Sequence, residues 1–141
     1  MPDMAKSDIA SPSDRRADIH LVRAYDARAG AETFGARLLV DRLWPRGIAK
    51  ADLPMDAWLK EIAPSGSLRK WFAHDPAKWE TFSERYRAEL ATTPMIIEEA
   101  LEWCRKGPVT LLYGARDHHH NHALVLRDVL QENLHSRCAG T

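Results

Sequence analysis

Apolar residues recur along the chain with two different periods, and these periods predict strands and helices. Three short apolar runs, at residues 19–25, 37–43 and 109–113, are typical of buried strands. Between the second and third runs, apolar residues recur every three or four positions, as on one face of a helix. The clearest such stripe follows Asp75-Pro76, a pair typical of a helix cap with proline at the first helical position. Its members are Trp79, Phe82, Tyr86 and Leu90.

Further apolar stripes predict the remaining helices. One includes Trp58 and Ile62 and is ended by Pro64, a second covers residues 68–72, and a third opens at Thr93-Pro94. The last helix is predicted from about Asn121, and helices number five to six in all. Several helices separate the second and third strands, so these two strands should be parallel, whereas the direction of the first is left open. The predicted fold class is therefore α/β, a small, mainly parallel three-stranded sheet covered by about five to six helices.

Length and composition indicate one globular domain. The chain has 141 residues, and we expect a single domain over residues 18–135, a disordered leader at 1–17 and a flexible tail at 136–141. No apolar run reaches the length of a membrane span, and no secretory signal is evident. The two cysteines, Cys104 and Cys138, do not form a CxxC pair and are expected to be reduced. These features predict a cytoplasmic protein that does not bind membranes.

Charge and missing motifs exclude some functions. The 20 basic and 20 acidic residues give a formal net charge of zero, which argues against a dedicated binder of duplex DNA. The sequence has no GxGxxG, GxxxxGK[ST], HExxH or GxSxG motif, so no nucleotide cofactor is indicated. The cofactor stays unknown, and whether the chain forms homo-oligomers is left open.

A first group of polar residues follows the second strand. Asp41, Arg42, Trp44 and Arg46 surround the rigid turn at Pro45. Guanidinium groups are well suited to phosphate or carboxylate recognition, so this turn is a candidate ligand site. The alternative is structural: an Asp41–Arg42 ion pair, or one between Asp117 and an arginine, that ties loops together.

A second group follows the third strand. Arg116 and Asp117 lie near the strand end, Asn121 is placed to cap the last helix, and His122 would be its first residue. The free N–H groups of a helix start favour an anion and a neutral imidazole, which could donate, accept or shuttle a proton. The alternative is plain capping by Asn121.

The histidines of the same segment raise a metal hypothesis. His118 and His122 have the i, i+4 spacing of helical zinc ligands, and His120 lies between them. A helix capped by Asn121 would instead leave His118 and His120 in a loop. No cysteine or second HxxxH supports them, so a surface or capping role is favoured over a divalent-metal site.

Three motifs together resemble the YeaO-like family, domain of unknown function 488. They are Val40 to Gly47, Trp71 to Pro76 and Asp117 to Ala123, and their order, spacing and rarity make the resemblance specific. The resemblance implies a compact α/β fold and carries no settled activity. The family pattern matches Asp41, Arg42, Trp44, Pro45, Arg46, Gly47, His74, Asp75, Pro76, Asp117, Asn121 and His122. His120 also fits, whereas members vary at His118 and His119, which weakens the metal hypothesis.

The sequence thus predicts an enzyme or small-molecule binder that recognises a phosphate or carboxylate at the carboxyl edge of its sheet, and does not decide whether it catalyses a reaction. His122 and Asp117 are the catalytic candidates. The ligand-binding candidates are Asp41, Arg42, Trp44, Arg46, His74, Arg116 and Asn121. The alternatives are a divalent-metal protein using His118, His120 and His122, or a non-catalytic interaction or regulatory module. For the favoured hypothesis, the two turns must lie side by side.

Overall fold

The computed structural model describes the backbone of residues 18–140 and the side chains of residues 18–135. Four strands and five α-helices occur in this part of the chain, joined by short 3₁₀ turns. The elements are β1 (Ile19–Arg23), α1 (Ala24–Arg28), β2 (Ala36–Leu39), β3 (Ala57–Trp58), α2 (Gly66–Phe72), α3 (Trp79–Ala91), α4 (Pro94–Lys106), β4 (Val109–Tyr113) and α5 (His122–Gly140). The leader predicted at residues 1–17 lies outside the described residues, and the flexible tail predicted at 136–141 stays a prediction.

The strands form one parallel sheet in the order β1-β4-β2-β3. Central β4 pairs with β1 from Ile19↔Val109 to Arg23↔Tyr113, and with β2 from Ala36↔Val109 onward. The α/β class and the parallel pairing of the strands before and after the helical crossover are confirmed. The first strand, whose direction the sequence left open, is parallel as well.

The sheet has four strands instead of the predicted three. The additional strand, β3, falls within the apolar stripe that predicted a helix at Trp58 to Ile62; the chain there forms two strand residues and a 3₁₀ turn at Lys60–Ile62. Pairing with β2 explains the difference, because Leu59 donates its N–H to the Leu39 carbonyl at 2.8 Å. A tertiary hydrogen bond therefore overrides a local helical period.

Two predicted strands are shorter than expected. The second ends at Leu39 rather than residue 43, although the Val40 N–H still bonds the Leu112 carbonyl at 3.0 Å. The first ends at Arg23 and continues directly into α1, where Ala24 and Ala27 are small enough to be buried beneath the sheet. The polar residues after β2 thus belong to a turn.

The two faces of the sheet are covered unequally. Along β4, Val109, Leu111 and Tyr113 face the larger core, which α2 to α5 complete. Leu112 faces a smaller core on the other side, which α1 and the segment after β2 cover. Both turns of interest follow β2 and β4, at the same carboxyl edge.

Local caps begin the helices near that edge. The Asp75 carboxylate accepts the Ala77 N–H at 3.0 Å, as its Asp-Pro pair predicts, and opens the 3₁₀ turn that leads into α3. The Ser65 hydroxyl caps α2 by accepting the Leu68 N–H at 3.1 Å. Thr93 does not cap α4, because its hydroxyl donates backwards to the Leu90 carbonyl.

Candidate functional site

Asp41 joins the turn after β2 to the turn after β4. Its Oδ2 accepts the backbone N–H of Gly114 at 2.9 Å. A Cβ at position 114 would lie 2.8 Å from the same oxygen, so a glycine there permits the close approach. The two turns therefore lie side by side, as the favoured hypothesis requires.

His122 completes this junction from the first position of α5. Its Nε2 lies 2.8 Å from the Val40 carbonyl and 3.3 Å from Asp41 Oδ1. Both neighbours are acceptors, so Nε2 carries a hydrogen, which is directed at the carbonyl. Asp41 Oδ1 is buried and has no hydrogen-bond donor among the described residues. The second ring nitrogen, Nδ1, bonds none of them either, and is left for another partner.

Asn121 caps α5, which confirms the structural alternative for this residue. Its Oδ1 accepts the Leu124 N–H at 3.3 Å, and its Nδ2 donates to the Asp117 carbonyl at 2.8 Å. The residue is only 2% exposed. Both ends of its amide are engaged, so its main contribution is to hold His122 in place.

Asp117 stabilises its own loop. One carboxylate oxygen accepts the N–H groups of His119 and His120 at 2.8 and 3.1 Å, and the other lies 2.9 Å from His120 Nδ1. These hydrogen bonds, the one from the His119 backbone foremost, lower the pKa of Asp117. Its side-chain partner is His120, whereas the structural alternative had expected an arginine.

Arg42 ties a second loop to the site. Its guanidinium donates to the carbonyls of Pro64 at 3.1 Å and Ala63 at 3.0 Å, and lies 4.0 Å from Glu61. The expected Asp41–Arg42 ion pair does not occur within residues 18–135. Arg42 still contributes a positive charge to the cavity wall, because backbone carbonyls do not neutralise it.

A cavity of about 640 Å³ opens between these turns and α2. This volume is typical of a small-molecule site. Three of its cationic side chains, Arg46, Arg69 and Lys70, make no hydrogen bond or ion pair with any side chain in the described part of the protein. Asp41 is the one acidic residue among the described residues that line it. The cavity is therefore positively charged, although the chain as a whole is neutral.

Aromatic and apolar residues form the rest of the wall. The Trp44 indole donates to the Ile48 carbonyl at 2.6 Å, which fixes the Pro45 turn. The Tyr25 hydroxyl donates to the Arg46 carbonyl at 2.7 Å from the other side. These two hydrogen bonds fix the backbone around Arg46, and therefore the point from which its side chain extends.

His74 reaches the cavity from a strained backbone. α2 ends at Phe72, and the next two residues, Ala73 with φ 48° and His74 with φ 59°, are both left-handed although neither is glycine. Such a conformation is unfavourable by about 1–3 kcal/mol per residue and is concentrated at functional sites. The His74 side chain is exposed and lines the cavity.

The structure brings together most, but not all, of the predicted site residues. The cavity is lined by Asp41, Arg42, Trp44, Arg46, His74, His120, Asn121 and His122. Arg116, Asp117 and His118 do not line it. Sequence reasoning missed Tyr25, Arg69, Lys70 and Gly114. Only Gly114 carried a local signal, as a glycine directly after a core strand.

The metal candidates have separate partners. His118 Nδ1 lies 2.9 Å from the Tyr113 hydroxyl, His120 pairs with Asp117, and His122 bonds Val40. No group of three His, Cys, Asp or Glu side chains within the described residues is arranged to hold a metal ion. The metal hypothesis therefore has no geometric support.

Fold and site together define a small α/β protein with a positively charged cavity at the carboxyl edge of a parallel sheet. Residues 18–141 match a family described as "Inactive DUF488-N3 subclade". The chain belongs to this YeaO-like DUF488 family, as the three motifs indicated.

Two relatives support the assignment. "Uncharacterized protein YeaO" of Escherichia coli (strain K12) is 46% identical over 114 residues, which cover 81% of this chain and 97% of that protein. "Uncharacterized protein Rv3073c" of Mycobacterium tuberculosis (strain ATCC 25618 / H37Rv) is 38% identical over 96 residues, covering 68% of this chain and 80% of the relative. No solved structure is significantly similar to the chain. Among the described helices, none is both long and apolar enough to cross a membrane.

Proposed function

We propose that this protein binds a small anionic ligand, with a phosphate or carboxylate group, in the cavity between the turns after β2 and β4. The observation that carries the proposal is the set of unpartnered cations, Arg46, Arg69 and Lys70, around a cavity that contains one carboxylate. These three side chains are exposed, but their charges lie around one concave surface, where a positive potential attracts anions.

Arg46 and the α2 pair would contact the anion directly. Arg42 would act mainly as a fixed charge, since two of its nitrogens already donate to carbonyls. The start of α5 adds the positive end of a helix dipole on the same side. The His74 ring and the Nδ1 atom of His122, which make no hydrogen bond with a described residue, would supply further hydrogen bonds.

Catalysis is a second candidate, and one observation favours it. The Nδ1 atom of His122 bonds no described residue and would be available for proton transfer, while Nε2 is held by the Val40 carbonyl. Asp117, proposed from sequence for the same role, has both carboxylate oxygens engaged in its own loop. The description of the matching family as an inactive subclade supports binding without turnover.

Calorimetric titration with phosphate, sulfate, acetate and citrate tests the proposal. We expect at least one anion to bind, and to raise the unfolding free energy by about 2.7 kcal/mol at a concentration 100 times its Kd. Arg46→Ala and Arg69→Ala should each weaken binding about tenfold, because each removes a charge-assisted hydrogen bond.

Lys106→Ala is the matched control. It removes one positive charge from the end of α4 that precedes β4; the Lys106 ammonium lies 5.2 Å from the centre of the Trp103 ring, and the residue does not line the cavity. Binding should be unchanged in this variant. If no anion binds, or if Arg46→Ala, Arg69→Ala and Lys106→Ala behave alike, the proposal is wrong.

A further inference from the structure

We infer that the ligand is a phosphate monoester whose organic body carries an apolar ring; this rests on the proposed function and specifies the ligand. Two features of the cavity point to it. One is the excess of cationic over acidic side chains in its lining. The other is an apolar rim in the same turn as Arg46.

The charge count favours a dianion. Four permanent cations, Arg42, Arg46, Arg69 and Lys70, line the cavity together with one carboxylate. Within the described residues, one further acid forms an ion pair with these cations: Glu61, exposed and 4.0 Å from Arg42. A single carboxylate ligand would offset one of the remaining charges. A phosphate monoester carries between about 1.5 and 2 negative charges at pH 7 and offers three terminal oxygens to separate donors.

The apolar rim favours an organic body. Leu43 is 63% exposed, one of the few large apolar side chains in the described chain that are not covered. It lines the cavity together with Trp44, Pro45 and Phe72 of α2. The volume of about 640 Å³ also exceeds what a bare ion fills and suits a small organic molecule. A ring placed here would cover Leu43 while its phosphate reaches the cations.

Four compounds separate charge from ring. Phenyl phosphate has the phosphate charge and a ring, inorganic phosphate has that charge without a ring, benzoate has a ring and a single charge, and acetate has a single charge and no ring. By calorimetry at pH 7.5, we expect phenyl phosphate to bind at least about tenfold more tightly than inorganic phosphate and than benzoate. If inorganic phosphate binds as tightly as phenyl phosphate, the ligand needs no ring. If benzoate binds as tightly as phenyl phosphate, the ligand needs no phosphate. If none of the four binds, the proposed function fails too.

Substitutions of Leu43 and Lys70 test which residues contact the ring and which contact the phosphate. Leu43→Ser should weaken phenyl phosphate about fivefold and leave inorganic phosphate unchanged, because it removes apolar contact area only. Met95→Ser is the matched control, since Met95 is 86% exposed on α4 and lies outside the cavity. Lys70→Ala should weaken phenyl phosphate more than benzoate. An equal effect of Leu43→Ser on phenyl phosphate and inorganic phosphate contradicts the inference.

Discussion

Replacing Asp41 with alanine tests whether one carboxylate holds the two turns together. The variant removes the acceptor of the Gly114 N–H, a 2.9 Å bond to a side chain that is 18% exposed. A hydrogen bond to a charged group contributes about 1.5–3 kcal/mol. Because Asp41 Oδ1 is itself buried without a donor among the described residues, its removal relieves some desolvation, and we expect a loss near the lower end, about 2 kcal/mol.

Urea unfolding followed by tryptophan fluorescence measures this loss, and thermal unfolding should show a midpoint about 6–8 °C lower. Exchange of the Gly114 amide proton reports on the bond itself and should accelerate in the variant.

Asp41→Asn is the control. Its amide oxygen can still accept the Gly114 N–H without the negative charge, so the loss should be about half as large. Unfolding of Asp41→Ala within about 0.5 kcal/mol of the parent protein, the range of ordinary surface substitutions, would refute the view that Asp41 joins the turns.

Three further predictions concern the scaffold. Gly35→Ala should destabilise the protein by more than about 2 kcal/mol in urea unfolding, because φ is +64° and the new Cβ would clash with the Pro108 carbonyl oxygen. Unchanged stability would contradict this geometry. Burial raises the pKa of Cys104 to about 11, so iodoacetamide at pH 8 should label it roughly 100-fold more slowly than a thiol with the ordinary pKa of 9.0, in a variant that lacks the other cysteine. Denaturant should restore the labelling rate, and fast labelling of the folded protein would contradict the burial of Cys104. Hydrogen bonds lower the pKa of Asp117 below the ordinary 3.8, so its stabilisation of the loop is complete above pH 3.8 and is lost as the pH falls through the pKa of the folded protein. The amide chemical shifts of the loop in NMR spectra should therefore titrate below about pH 4, and this titration should be absent in Asp117→Asn.

The sequence by itself determined the elements whose signals are local. The apolar run before Gly114 marks β4 at residues 109–113, and the Asp75-Pro76 pair marks the turn into α3. Asn121 marks the start of α5. Each signal depends on neighbouring residues alone, through backbone propensity or a cap that bonds two or three positions along the chain. The common carboxyl edge of β2 and β4 was predicted as well, because parallel strands need a long crossover and the helical segment between these two strands is typical of one.

Tertiary structure decided what depends on contacts between distant segments. β3 exists because the edge of β2 offers hydrogen bonds that a helical period cannot reveal. Arg42 donates to the carbonyls of Ala63 and Pro64, which lie 21 and 22 residues further along the chain, and Arg69 and Lys70 line the cavity because α2 forms part of its wall. The sequence gives the charge of each side chain, but whether that charge is paired depends on which segment of the chain folds against it.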